Sequence, residues 1–282
     1  MQIWRTWGQH PTVPPLEQVK QDTKFLLLQA ANLRRIHIIG CARSGTTMLH
    51  YAMVAFADVI LYDTESAVWA YPSLRESLAL AQRFALPRRR RYLVTKRPYG
   101  WFLAEELDRL IYSACKHQLF LINIVRDPRD VLTSYHKQES RDGFYVELDR
   151  WQKSIEASEV VLNALQGCRN VLTLRYEDMI YAADHTAALL MNRIGLQLRP
   201  NLTSWGNLKE NIAMLGQSTS MVQALNSLRN FEASSIGRWR HDPEKCRFIA
   251  EILDKSPQQE LLHRFMTTYN YSLDKVTPGS YI

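Results

Sequence analysis

The sequence predicts an α/β protein of three layers (α/β/α), with helices covering both faces of a central, mostly parallel sheet of about five strands. Two observations carry this prediction. Short runs of consecutive apolar residues recur along the chain, and such runs are typical of strands that are buried on both faces. Amphipathic helical patterns separate these runs, and strands that alternate with helices form a parallel sheet.

The apolar runs place the predicted strands at residues 36–39, 59–61, 92–95, 119–125 and 171–174. The periodic patterns place helices at residues 46–57, 101–117, 128–139, 146–165 and 179–194. In the fourth of these helices one apolar stripe is marked by Trp151, Ile155, Leu162 and Leu165. From Asn201 onward the pattern is helical or irregular, with no further strong strand.

The composition of the 282 residues, 46% hydrophobic and 22% charged, excludes disordered, collagen-like and mini-protein classes. Lys and Arg number 35 against 28 Asp and Glu, which gives a formal net charge of +7. This excess predicts an anionic partner: a nucleic acid, a membrane surface, or a phosphorylated or sulfated small molecule. The chain has no repeat, low-complexity tract or Gly/Ser-rich linker, so we expect residues 1–282 to form one domain.

The sequence contains no sign of a membrane span, a secretory signal or a metal site. No apolar stretch approaches the roughly 20 residues of a span, and the first residues lack the long apolar segment of a signal peptide. The four cysteines lie far apart, without Cys-x-x-Cys spacing or a His at metal-ligand spacing. We therefore expect a cytoplasmic protein with no disulfide framework and no metal.

A small-residue turn, Gly40-Cys-Ala-Arg-Ser-Gly-Thr-Thr47, joins the first predicted strand to the first predicted helix. Backbone N–H groups of such a turn converge on one point, and the helix dipole adds positive potential there. Gly45 lets an anion approach the backbone, while Arg43 adds a cation. Nucleotide kinases have a Lys where this chain has Thr46, which favours a nucleotide with a shorter 5′ anion. Taken alone, the pattern also fits a tight turn without a ligand.

A second motif follows the strand predicted at residues 119–125. Arg126 ends this strand at its carboxyl edge, where open α/β sheets bind ligands, and Ser134 lies about two turns into the next predicted helix. An Arg fork and a hydroxyl together can bind a terminal phosphate. Taken alone, this motif also fits a surface ion pair at a helix start, either Arg126–Asp127 or Arg129–Asp130.

Together the two motifs resemble those of sulfotransferases that use 3′-phosphoadenosine 5′-phosphosulfate (PAPS). The turn is similar to that family's 5′-phosphosulfate loop, and the second motif is similar to its 3′-phosphate motif. Residues 172–179 resemble a segment whose Tyr contacts the adenine, and residues 234–240 resemble a late loop that wraps the 3′-phosphate. The resemblance implies PAPS contacts by Arg43, Ser44, Gly45, Thr46, Thr47, Arg126, Ser134, Tyr176, Ser235, Gly237 and Arg238. The late loop alone also fits a basic surface turn packed by its Trp.

The resemblance also implies the chemistry, an in-line displacement in which an acceptor atom attacks sulfur and 3′-phosphoadenosine 5′-phosphate (PAP) leaves. No metal is required. Lys96, which closes the third predicted strand, aligns with the family's Lys at the phosphosulfate bridge, and Arg43 would hold the leaving phosphate. The alternative for Lys96 is a solvated strand-end side chain beside the basic run at residues 88–91.

The general base is less determined. Cytosolic aryl and steroid sulfotransferases place a His two residues after that Lys, where this chain has Pro98. Tyrosylprotein sulfotransferases and many bacterial relatives use a Glu after the second strand, which implies Glu65 as a catalytic residue, with Asp63 as the alternative. In this respect the chain is more similar to the second group. A carboxylate stabilised by a helix dipole is the non-catalytic interpretation of Glu65.

These observations predict a bacterial-type enzyme that sulfates a hydroxyl, or a carbamoyl or amine nitrogen, of a small molecule during natural-product tailoring. We expect no nucleic-acid or membrane partner. One alternative is a P-loop small-molecule kinase using ATP and magnesium, which the missing loop Lys disfavours. Another is a non-catalytic nucleic-acid-binding protein, whose cations should form stripes interleaved with aromatic residues; here the best-placed cations end strands or lie in turns.

Overall fold

The computed structural model describes residues 13–62, 75, 77–79, 91–98, 104–135, 143–200, 204–213 and 230–272. At its centre is a five-stranded parallel sheet with the strand order β2-β3-β1-β4-β5. The strands are β1 (Leu33–Gly40), β2 (Val59–Leu61), β3 (Arg91–Lys96), β4 (Phe120–Val125) and β5 (Val171–Arg175). Each predicted strand is confirmed to within three residues at either end.

Helices connect and flank the strands. In chain order they are α1 (Pro15–Ala30), α2 (Thr46–Ala52), α3 (Ala104–His117), α4 (Pro128–Leu132), α5 (Leu148–Ala164), α6 (Tyr176–Tyr181), α7 (Ala183–Ile194), α8 (Leu208–Ala213), α9 (Pro243–Lys255) and α10 (Gln259–Thr268). Three short 3₁₀ segments, Met53–Ala55, Ala233–Ser235 and Arg238–His241, complete the regular structure of the described residues.

The sheet is covered on both faces, as its continuous apolar runs require. Every residue of β4 is buried. Ile122 packs with Leu49 of α2 in one core cluster, whereas its neighbour Leu121 packs with Leu110 of α3 and Val161 of α5 in another. Successive residues of a strand point to opposite faces, so this division places helices on both sides and confirms the three-layer α/β/α architecture.

The helix predicted at residues 128–139 is wrong in its length. The structure ends α4 at Leu132, and Ser134 is not helical. The hydroxyls of Thr133 and Ser134 each donate to a backbone carbonyl four residues earlier, at 2.6 Å. Such side-chain bonds compete with the helical backbone pattern and favour its termination. Residues 136–139 lie outside the described part of the chain.

Three further helix predictions differ in detail. Residues 179–194 are covered by two helices, because Ala182 has a non-helical conformation between α6 and α7. The helix after the small-residue turn ends at Ala52 and continues as a single 3₁₀ segment. In α5, Val161 is fully buried and Leu162 only half-buried, so the apolar stripe turns slightly from the predicted one. Helix α1 was not predicted.

Candidate active site

The turn between β1 and α2 lies at the carboxyl edge of the sheet, on its central strand. Arg43 and Gly45 both adopt left-handed backbone conformations, with φ of 67° and 102°. A Cβ atom on Gly45 would lie 2.5 Å from the ring of Tyr176, so only glycine fits there. The buried Ser44 donates its hydroxyl to the Cys41 carbonyl at 2.7 Å and so holds the turn together.

Lys96 lies next to this turn because it ends β3, which pairs in parallel with β1. Its Nζ atom is 2.8 Å from the hydroxyl oxygen of Thr47, the second residue of α2. The buried Thr46 begins the same helix. The end of β3 and the start of α2 thus place Lys96, Thr46 and Thr47 together beside the turn.

Arg126 connects three segments that are distant in sequence. Its Nη1 atom donates to the carbonyl oxygen of Arg43 in the turn at 3.1 Å, and its Nη2 atom donates to the carbonyl oxygen of Ser235 at 2.6 Å. Its guanidinium group lies over the ring of Tyr176, 4.2 Å from the centroid. The carboxylate of Asp130 is 3.8 Å away. The strand-end Arg therefore holds the turn, α6 and the late loop together.

The late loop packs against α4. The backbone N–H of Gly237, whose φ is 70°, donates to the carboxylate of Asp130 at 2.8 Å. The hydroxyl of Tyr176 donates to that of Ser235 at 2.9 Å. Burial raises the pKa of Asp130, with the charge of Arg126 acting in the opposite direction. The exposed Arg238 donates to the Ser234 carbonyl at 2.8 Å, so its side chain borders the same loop.

The ion pair of the second motif differs from both sequence alternatives. Arg129 binds Asp127 through two nitrogens, at 2.7 and 2.9 Å, and both residues are buried. Asp127 also caps α4 by accepting the Arg129 backbone N–H at 2.9 Å. Arg129 lies over the buried ring of Trp239, 4.6 Å from its centroid. This pair is structural, and it leaves Arg126 to face the turn.

The chain matches solved structures. One of them is a sulfotransferase domain from the curacin biosynthetic pathway. That match covers 85% of this chain and 98% of the domain, with 15% sequence identity and a TM-score of 0.55. The chain has the sulfotransferase fold. A mouse sulfotransferase complexed with PAP is similar at a TM-score of 0.47 and 17% identity, covering 85% of this chain and 93% of that one. A sulfotransferase domain from the Synechococcus PCC 7002 olefin synthase is similar at a TM-score of 0.46 and 13% identity, and the match covers 86% of this chain and 96% of that domain. No protein-family model and no curated protein matches the sequence.

Within this sulfotransferase fold, most of the predicted site residues lie together at the carboxyl edge of the sheet. Direct contacts link Arg43, Gly45, Thr47, Lys96, Arg126, Tyr176, Ser235 and Gly237 to at least one other segment of the site. Ser134 lies just past α4, and its hydroxyl is used on the Asp130 carbonyl. Glu65 and Asp63 lie outside the described residues, so the base stays a prediction.

The sequence alone did not identify three residues that contribute to the site: Tyr135, Tyr145 and Asp130. Arg43 lies over the ring of Tyr145, 4.4 Å from its centroid, and donates to the carbonyl oxygen of Tyr135 at 3.0 Å. Asp130 was considered only as an ion-pair partner, although it anchors the late loop. None of these contacts has a local signal, since the Arg43–Tyr135 bond joins residues 92 positions apart.

Membrane and metal features were searched in the described part of the chain. None of its helices is both long and apolar enough to cross a bilayer. Within the same residues, no cluster of three or more His, Cys, Asp or Glu has an arrangement suited to a metal ion.

Proposed function

We propose that this protein is a PAPS-dependent sulfotransferase that transfers a sulfuryl group to a small-molecule acceptor and releases PAP. The observation that carries the proposal is the position of Arg126, which contacts the turn, the ring of Tyr176 and the late loop. The resemblance assigns these segments to the 5′ end, the base and the 3′-phosphate of one nucleotide. Their convergence supports a single nucleotide site.

The residues present fit this polyanionic nucleotide. Among the described residues, the Nε atoms of Arg43 and Arg126 are buried without a hydrogen-bond partner. Buried donors of this kind are costly unless an acceptor satisfies them, and phosphate oxygens are suitable acceptors. Gly45 lets the ring of Tyr176, the proposed adenine contact, pack directly against the backbone of the turn. The cations of the site, with Lys96 and Arg238, match the roughly four negative charges of PAPS.

In the proposed mechanism, bound PAPS supplies the sulfuryl group and a phosphate leaving group. Lys96, fixed beside Thr47, neutralises negative charge that develops between sulfur and the leaving phosphate. Arg43 and the backbone of the turn hold that phosphate in position. These roles require no metal.

The acceptor proton goes to a base, for which we propose Glu65, with Asp63 as the alternative. Strand β2 pairs with β3, and the Tyr62 backbone N–H donates to the Val94 carbonyl at 2.9 Å. The chain therefore leaves β2 at the same sheet edge at which β3 ends in Lys96. Glu65 follows Tyr62 by only three residues in the sequence, and this short separation supports the assignment.

We further propose that the acceptor is a metabolite with a hydroxyl, or a carbamoyl or amine nitrogen, modified in the cytoplasm by this single-domain, bacterial-type tailoring enzyme. The supporting observation is the match to a domain from a biosynthetic pathway. A screen of metabolite classes with donor labelled in the sulfuryl group tests this, since the labelled product identifies both the class and the atom.

Thermal unfolding with three ligands tests the nucleotide proposal. PAP without magnesium should raise Tm, because a ligand at 100 times its Kd stabilises the folded state by about 2.7 kcal/mol. ATP with magnesium, or a mixed oligonucleotide, should raise it less. The absence of a shift with PAP would overturn the proposal. A larger shift with ATP and magnesium would indicate the kinase alternative, and one with the oligonucleotide the nucleic-acid-binding alternative.

A further inference from the structure

A second cleft opens at the opposite, amino-terminal edge of the sheet. Its volume is about 440 Å³, within the range of small-ligand pockets. It is lined by Arg34 and Arg35 at the start of β1, by Arg169 before β5 and by Arg193 near the end of α7. Arg34 lies about 20 Å along β1 from Gly40, the first residue of the small-residue turn, given a rise of about 3.3 Å per residue. The cleft is therefore separate from the proposed nucleotide site.

The charged residues that line this cleft in the described part of the chain are all positive. Four arginines and no carboxylate are among its described lining residues. Arg34 and Arg169 are exposed, and neither side chain forms a hydrogen bond or ion pair with another described residue. The exposed Arg193 donates to two backbone carbonyls, those of Arg169 and Val171, at 3.4 Å. Three guanidinium groups from three segments are thus available to one ligand.

Arg35 also lines the cleft, although the residue is only 5% exposed. Its side chain leaves β1 on the face opposite to that of Arg34, because successive residues of a strand point to opposite faces. Burial and, after it, the charge of Arg35 lower the pKa of His37, which lies on the same face of β1, to about 3. The three exposed arginines, Arg34, Arg169 and Arg193, therefore supply the charge of the cleft on which a ligand would act.

We propose that this cleft is a second anion site, for a small molecule carrying at least two phosphate or sulfate groups. Guanidinium groups present paired N–H donors that match the oxygens of either group. Arginines on three segments around one cavity suit a ligand with anionic groups at more than one position. The site does not depend on sulfotransferase activity, because no residue of the proposed nucleotide site lines it.

The exposed Cys115 lines the cleft and provides a local reporter. Its alkylation by iodoacetamide is followed by peptide mass spectrometry, with inorganic tripolyphosphate or a disulfated disaccharide as the probe. We expect at least one probe to slow alkylation by about threefold or more, and the double variant Arg34→Gln, Arg169→Gln to need about tenfold more probe for the same protection. The better probe distinguishes phosphate from sulfate ligands.

Two control variants localise the effect. The pair Arg247→Gln, Lys255→Gln removes the same charge from the exposed surface of α9, and we expect it to keep full protection. Arg126→Gln lies in the proposed nucleotide site and should also keep it. The proposal would be overturned if neither probe protected Cys115 in the wild-type protein. It would also be overturned if the α9 control lost as much protection as the Arg34, Arg169 double variant, or if Arg126→Gln lost protection.

Discussion

The ammonium group of Lys96 at the end of β3 lies 2.8 Å from the hydroxyl oxygen of Thr47 at the start of α2. This contact positions a flexible side chain beside the turn. The Thr47 hydroxyl accepts from the ammonium group, so its own hydrogen can be donated to another acceptor. Held there, Lys96 can act on charge that develops during the reaction without reorganising.

Replacing Lys96 by Ala should lower kcat by about 10²–10³, the usual effect of removing a donor aimed at developing charge. The Kd for PAP should change much less, since Arg43 and the turn remain. Both quantities are measured directly, by product formation and by calorimetry. Lys255→Ala on the exposed surface of α9 serves as the control. A rise in Kd with kcat unchanged would show that Lys96 only binds the nucleotide.

Glu65→Gln should abolish most turnover while PAP binding is retained, because the amide keeps the shape of the side chain but cannot take the acceptor proton. General bases of this kind contribute about 10²–10⁴ in rate. Asp63→Asn is the matched variant and should retain more activity. Single-turnover rates with both variants decide between the two carboxylates, and near wild-type kinetics for Glu65→Gln would exclude it as the base.

His37 should make stability fall in mild acid. Its Nδ1 atom lies 2.7 Å from the Thr95 hydroxyl, and burial, then the charge of Arg35, lowers its pKa from 6.5 to about 3. Between these values the unfolded chain binds a proton that the folded protein does not. The free energy of unfolding therefore decreases as the pH is lowered, by up to about 1.4 kcal/mol per pH unit. The variant His37→Gln lacks this contribution.

The measurement is the free energy of unfolding in urea between about pH 4.5 and 7. The advantage of the wild-type protein over His37→Gln should shrink as the pH is lowered. Asn192→Gln, at an exposed position of α7, changes no titratable group and should run parallel to the wild type. A pH-independent difference for His37→Gln would contradict the shifted pKa.

The sheet was predictable because its signal is local. Continuous apolar runs such as 119–125 must be covered on both faces, and the structure buries every residue of β4. The turn from Gly40 to Thr47 was equally visible, since its small residues and its place between strand and helix are sequence features. The end of α4 was not, because it depends on hydroxyl bonds from Thr133 and Ser134 that helical periodicity does not register.

The site could be predicted as a set of residues but not as an arrangement. Arg126 and Ser235 are 109 positions apart, and nothing local indicates that the guanidinium binds that carbonyl. The resemblance brought both to one phosphate group, whereas the structure shows in addition how Tyr176 and Asp130 hold them together. Such contacts arise from chain topology, which composition and spacing do not encode.

Arg126→Gln should weaken binding of PAP by about 10- to 100-fold, as expected for loss of a charge-assisted hydrogen bond to phosphate. Adenosine 5′-phosphate lacks the 3′-phosphate, so its Kd should rise by a clearly smaller factor than that of PAP. Calorimetry with both nucleotides gives the comparison. Arg247→Gln, on the exposed surface of α9, is the control. An equal loss for both nucleotides would contradict the assignment of Arg126 to the 3′-phosphate.

Two glycines with positive φ separate steric exclusion from backbone strain. An added Cβ at Gly45, with φ of 102°, meets the Tyr176 ring at 2.5 Å, whereas at Gly167, with φ of 80°, it meets nothing within 4 Å. Gly167→Ala should therefore cost only the strain of a left-handed alanine, about 1 kcal/mol. Gly45→Ala should cost a further 1–3 kcal/mol or so, because the Tyr176 ring must move.

The displaced ring also belongs to the proposed adenine contact, and its hydroxyl holds Ser235 of the late loop. Gly45→Ala should for this reason weaken PAP binding by about tenfold or more, while Gly167→Ala leaves it unchanged. Urea unfolding and calorimetry on the two variants measure stability and affinity separately. If both variants lose the same stability and neither loses affinity, then the contact between Gly45 and Tyr176 does not shape the site.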